Sequence, residues 1–143
     1  MNALKFVLVL AFTLALSKAY IVEGKYSIDV RWAPKYTVHV INDLGQNQEL
    51  NIHCKSKDDD LGPHTLMFGQ EFSWTFQVNF FKTTLFWCNM QWGNTQGSFE
   101  IFNAKTDKAY GGKPYYRKVR KDGIYYDNDD SKRDGAYWKK YSW

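Results

Sequence analysis

Between residues 36 and 102, apolar and polar side chains alternate with period two. No other feature of the chain limits its fold as strongly. In "EFSWTFQVNF", Phe72, Trp74, Phe76, Val78 and Phe80 share one face, and Ser73, Thr75 and Gln77 share the other. A helix would bring its apolar residues round every three or four positions, so this repeat specifies half-buried strands. "YTVHVIN" sets Val38 and Val40 against Thr37 and His39, and "ELNIHCK" sets Leu50, Ile52 and Cys54 against Glu49, Asn51 and His53. "TTLFWCNMQW" groups Phe86, Cys88, Met90 and Trp92, while "GSFEIFNA" groups Phe99 and Ile101. Trp87 and Phe102 then point outward, as does Tyr110 if its strand continues.

Turn signals separate these segments: Asn42-Asp43 with Gly45, Gly62-Pro63, Gly69, Asn79, Gly93-Asn94, Gly97, and Gly111-Gly112 with Pro114. "YYRKVRKDGIYY" reads as two further strands around Asp122-Gly123, and "AYWKKYSW" as a last one. Short strands interrupted this often predict an all-β domain, an antiparallel, immunoglobulin-like β-sandwich of about seven to eight strands. The domain is expected over residues 36–143, after a weakly patterned arm at 20–35. "DNDDSKRDG", residues 127–135, has little to bury and reads as an exposed loop.

The first residues, "MNALKFVLVLAFTLALSKAY", have the pattern of a secretory leader. Lys5 precedes an uncharged apolar run, and Ser17 and Ala19 are small residues suited to cleavage after Ala19. The run is about 11 residues, short of the roughly 20 needed to span a bilayer, so no membrane insertion is expected. Export places Cys54 and Cys88 in an oxidising compartment, where pairing is favoured. Both lie on apolar strand faces, which suits a bridge through the core. The alternatives are buried free thiols, or one thiol kept for a partner.

Chemistry of other kinds finds little support. Removing Lys5 and Lys18 from the 19 basic residues leaves 17 against 15 acidic ones, a weak and scattered positive balance that argues against nucleic acid. Asp58, Asp59 and Asp60 are adjacent rather than spaced as calcium ligands, and Lys55 and Lys57 compete for them. Asp127, Asp129, Asp130 and Asp134 are better spaced but lack the closing glutamate. His39, His53 and His64 are scattered, and a bridged Cys54 cannot serve as a nucleophile for His53 or His64. Glu71 and Glu100 are the remaining acid–base candidates. Neither an enzyme nor a bound cofactor or metal is expected. Trp87 could stack on a sugar or anchor a partner.

"VHVINDLGQNQELNIHCKSKDDDLG", "FGQEFSWTFQVNFFKTTLFWC" and "KDGIYY" together resemble the plant self-incompatibility S1 family, also called S-protein homologues. The likeness runs over residues 36–126, and its most specific blocks are "HCKSKDDDLG" and "TLFWC". The resemblance implies a small secreted plant β-sandwich whose founding role is that of a stigma ligand, read by a pollen membrane receptor. Cys54 and Cys88 match the family's first two cysteines, residues 58–62 its acidic turn, and Asp122-Gly123 its later hairpin. The family's second cysteine pair is missing: Tyr115 and Arg117 stand where cysteine and tryptophan are usual, which implies a less rigid C-terminal region. The expected function is thus surface recognition by a monomer, with a plasma-membrane receptor as partner. Asp58, Asp59, Asp60, Asp127, Asp129 and Asp130 supply candidate recognition loops. The alternative is a carbohydrate- or wall-binding module that uses Trp87.

Overall fold

The alternating segments form strands in a computed structural model that describes residues 34–107, 114–127 and 136–143. They are β1 (Lys35–Asn42), β2 (Leu50–Lys55), β3 (Asp60–Leu66), β4 (Glu71–Gln77), β5 (Leu85–Trp92), β6 (Thr95–Asn103), β7 (Pro114–Arg120), β8 (Gly123–Asp127) and β9 (Tyr137–Tyr141). One sheet has the order β4-β1-β7-β8-β9 and the other β3-β2-β5-β6. Their apolar faces meet in a sandwich. Tyr36, Val38 and Val40 of β1, Tyr115 and Val119 of β7, and Ile124 and Tyr126 of β8 bury against Leu50, Ile52, Phe86, Met90, Ile101 and Phe102 of the second sheet. Ring contacts tie the layers: Phe76 of β4 lies 4.7 Å from Phe86 and 4.8 Å from Phe102.

Two glycines are required by close approach. A side chain on Gly123 would run into the backbone carbonyl of Tyr141, so glycine lets β9 lie against β8. Gly97 leaves room for the Phe99 ring, which in turn packs on Tyr141 and Trp143. Asn42, fully buried, ties loops to strands: its amide nitrogen donates to the carbonyls of Gln48 and Leu66, and its oxygen accepts from the Leu44 amide. Such a buried side chain is tolerated because each polar atom is bonded.

The structure departs from the sequence reading in several places. Nine strands are described, because β3 forms where Gly62-Pro63 reads as a turn. Proline lacks the amide a central strand must donate, but β3 is an edge, and Pro63 still registers with His53. Most pairs are antiparallel, but β1 and β7 run parallel. Phe102 is buried rather than outward: Phe86 pairs with Phe102 and Trp87 with Glu100, so β6 holds one extra residue. That bulge turns Ile101 and Phe102 both into the core. Phe80 is not inward, since β4 stops at Gln77.

Cys54 and Cys88 are bonded as expected, yet the bridge does not cross the core. Both belong to one sheet, directly opposite each other on β2 and β5 with Cα atoms 4.0 Å apart. Asp127, read as part of an exposed loop, ends β8 and is buried. The leader, the arm up to residue 33, Tyr110, Asp129 and Asp130 lie outside the described residues.

Candidate functional site

Strand directions gather the loops at one end of the sandwich. Lys55, at the end of β2, pairs with Trp87 near the start of β5. Gln77, at the end of β4, pairs with Lys35 at the start of β1. Pro114 and Asp127 close the same end, because β7 runs parallel to β1 and β8 returns antiparallel to β7. The turn carrying Asp58 and Asp59, the loop 78–84 and the turn at 103–107 therefore lie at the same end.

The acidic turn is ordered by local bonds. The Ser56 amide donates to the Asp59 carbonyl at 2.8 Å, and the Asp59 amide to Ser56 Oγ at 3.0 Å. Asp60 is different in kind: it starts β3, bonds the His53 ring at 2.5 Å, and accepts from the Gly62 amide at 2.9 Å. The His53 contact, then the Gly62 amide, hold its carboxyl below the usual aspartate value. Asp58 and Asp59 are left exposed to solvent.

Loop 78–84 presents Phe80 and Phe81, 93% and 80% exposed, edge to face at 5.4 Å. Asn79 replaces the strand ladder with its own bonds. Its amide donates to Thr84 Oγ1 at 3.0 Å, its Nδ2 donates to Thr83 Oγ1 at 2.6 Å, and its Oδ1 accepts from the Thr83 amide at 2.8 Å. Two large rings on a bonded turn are an exposed apolar patch, not a frayed end. The alternation obscured them by continuing Phe80 inward. The adjacent pair Phe80-Phe81, which breaks period two, is the signal that could have found them.

Arg117 and Asp127 close the same end from within. The Arg117 guanidinium donates to the carbonyls of Ile101 and Tyr116 and, at 2.9 Å, to Asp127, and stacks 3.6 Å over the Tyr126 ring. Asp107 approaches it at 3.6 Å. Burial pushes the Asp107 carboxyl up, against the pull of Arg117, and pushes the Tyr126 phenol well above its usual range. Arg117, which stands where the resemblance implies tryptophan, is thus packed and bonded within the sandwich.

The outward face of the β3-β2-β5-β6 sheet forms the second feature, a groove of about 820 Å³. Register lays Thr65, Asn51, Gln91 and Gln96 in one row across it and Pro63, His53, Asn89 and Ser98 in the next. Lys55, Trp87 and Glu100 follow. Thr65 donates to Asn51 Oδ1 at 2.7 Å. The alternation turned Asn51, His53 and Trp87 outward but carried no sign that a hollow lies on this face.

The residues weighed for catalysis are engaged elsewhere. Cys54 has no thiolate while bonded to Cys88. His64 bonds the Leu61 carbonyl and stacks on Phe72, His39 bonds Glu71, and Glu71 and Glu100 lie in different sheets. Among the described residues, no three His, Cys, Asp or Glu side chains are grouped to hold a metal ion.

Known proteins share both sequence and fold. The family model of plant self-incompatibility protein S1 matches residues 37–143. S-protein homolog 2 of Arabidopsis thaliana is 40% identical over 112 residues, covering 74% of this chain and 70% of its own. S-protein homolog 1 of the same plant is 40% identical over 71% of each chain. S-protein homolog 5 reaches 46% over a shorter stretch, 51% of this chain and 57% of its own. A solved self-incompatibility protein homologue, from a family described as small, highly stable, secreted plant proteins, superposes with a TM-score of 0.57 at 21% identity. It covers 74% of this chain and 95% of that one, which establishes the shared fold. By its sequence across both sheets, the chain belongs to the plant self-incompatibility protein S1 family.

Proposed function

We propose that the chain is exported with loss of residues 1–19 and acts, without catalysis, as an extracellular ligand. A plasma-membrane receptor on a target plant cell reads its loop-bearing end, in signalling of the pollen-rejection type or a related developmental or defence role. The chain works as a monomer. Asp58 and Asp59 contribute charge at the rim of the contact, beside Asp60, while the outward rings contribute its centre. The secreted character of the solved homologue and the shared family support export.

The observation that carries the reading is the pair Phe80 and Phe81, held out to solvent on a turn with its own hydrogen bonds. Large aromatics that seat in a partner's pocket dominate binding energy in most interfaces. Labelled protein applied to pollen tubes and tissue protoplasts should bind saturably, and trypsin treatment of the cells should abolish binding. Replacing Phe80→Ser and Phe81→Ser together should weaken binding roughly tenfold or more, with the melting temperature unchanged. Non-saturable binding, or binding that survives the double substitution, would overturn the proposal.

A further inference from the structure

We propose that the outer groove of the β3-β2-β5-β6 sheet binds a neutral oligosaccharide, with Asn89, Gln91 and Gln96 recognising its hydroxyls and Trp87 flanking a ring face. The groove's lining residues are distinct from Asp58, Asp59, Phe80 and Phe81, and the assignment goes beyond the receptor reading.

The groove's charge selects the ligand class. Its lining residues, among those described, include no Asp, Glu, Lys or Arg. Its two histidines are already bonded, His53 to Asp60 and His64 to the Leu61 carbonyl, so a phosphate or a uronic acid would find no unengaged cation there, and a cationic ligand no carboxylate in the lining. At the rim, Lys55 lies 3.8 Å from Asp60, so the two charges largely cancel. An uncharged polar ligand is what such a surface complements.

The side chains select hydroxyls. Each amide offers two donors and an acceptor with two lone pairs, while a sugar hydroxyl both donates and accepts. Asn89, Gln91 and Gln96 are exposed, and their side chains make no hydrogen bond among the described residues. Asn51 is held by Thr65 through its oxygen, which leaves its amide hydrogens for a ligand. His53 is fixed by Asp60 through Nε2, leaving Nδ1 available. These groups repeat at about 5 Å across strands and about 7 Å along them, so one sugar ring meets several at once.

Trp87 supplies the apolar component. It does not line the groove itself but stands one outward position beyond Asn89 on β5, half-buried, with Lys55 and Glu100 as its cross-strand neighbours. An indole one outward position along the strand from Asn89 gives a bound sugar an apolar surface for the C–H face of a pyranose, which is apolar while its edge is polar. The centre of a protein–protein contact is built otherwise, from clustered aromatics with few polar groups. The groove's size lies within the range of small-ligand sites.

Titration calorimetry of the disulfide-bonded, leader-free protein against neutral gluco-, xylo- and manno-oligosaccharides, with oligogalacturonide and a mixed peptide pool alongside, tests the assignment. At least one neutral oligosaccharide should bind, and Asn89→Ala and Gln91→Ala should each weaken it about tenfold at unchanged melting temperature. NMR shifts on binding should map to outward residues of β2, β5 and β6. Trp87→Ala should weaken binding, and the Phe80→Ser, Phe81→Ser variant should retain it. Failure of every neutral sugar to bind at millimolar concentration would overturn the proposal. So would preference for oligogalacturonide or peptide, or binding indifferent to Asn89 and Gln91.

Discussion

Arg117 carries its guanidinium into the sandwich with only 2% of its surface exposed, and Asp127 meets it there. Removing one member of such a pair leaves the other buried and unpaired, which usually costs about 3–5 kcal/mol. Arg117→Met should therefore lower stability by about that amount in urea titration. Adding Asp127→Leu should recover part of the loss, since apolar replacement of a buried pair is often neutral, while Asp107 stays without its Arg117 neighbour. An unchanged midpoint for Arg117→Met would mean that the pair holds nothing together. Asp60, which is exposed, adds a pH dependence. Its folded pKa lies below its unfolded one, so its contribution is present above the ordinary aspartate value of about 4 and is lost as pH falls through the folded value. NMR titration should show the Asp60 carboxyl and the Gly62 amide changing together below that point. Titration of the carboxyl at or above the ordinary value would contradict the His53 contact.

At the scale of strands, the disulfide is a cross-link between neighbours in one sheet. Cys54→Ser frees a segment spanning 34 positions, and the chain-entropy relation places the stabilisation near 3–4 kcal/mol. A fall in melting temperature on the order of 10 °C should follow, and a variant that melts with the wild type would deny the bond its role. Period-two alternation made β1, β2, β4, β5 and β6 legible, because one face of each is wet and the other dry. It failed where local chemistry overrode the period. Gly62-Pro63 concealed an edge strand, a bulge carried Phe102 inward, and Asn79 built a turn just beyond the end of β4 at Gln77. The acidic turn was readable from Asp58 and Asp59. The groove was not, since alternation reports which way a residue faces and never the curvature of the sheet beneath it. Arg117 was visible only as an unexpected residue in a known pattern, with its partner Asp127 assigned to a loop.

For the whole molecule, topology decides which loops can act together. The turn with Asp58 and Asp59 and the loop with Phe80 and Phe81 are distant in sequence but share one end. Charges at the rim of a contact govern approach more than retention. Asp58→Asn with Asp59→Asn should slow association with cells and flatten its salt dependence, leaving dissociation nearly unchanged. A faster off-rate with an unaltered on-rate would move these carboxylates into the centre of the contact. The parallel pairing of β1 with β7 reaches further still. β1 sits between β4 and β7, and Arg120 reaches back 77 positions to donate to Asp43 just beyond β1. The first of the described strands thus has no complete set of neighbours until β7, about 70 positions on, has joined it. Such long-range closure is slow. A chain built this way keeps its first sheet open until its C-terminal third is available.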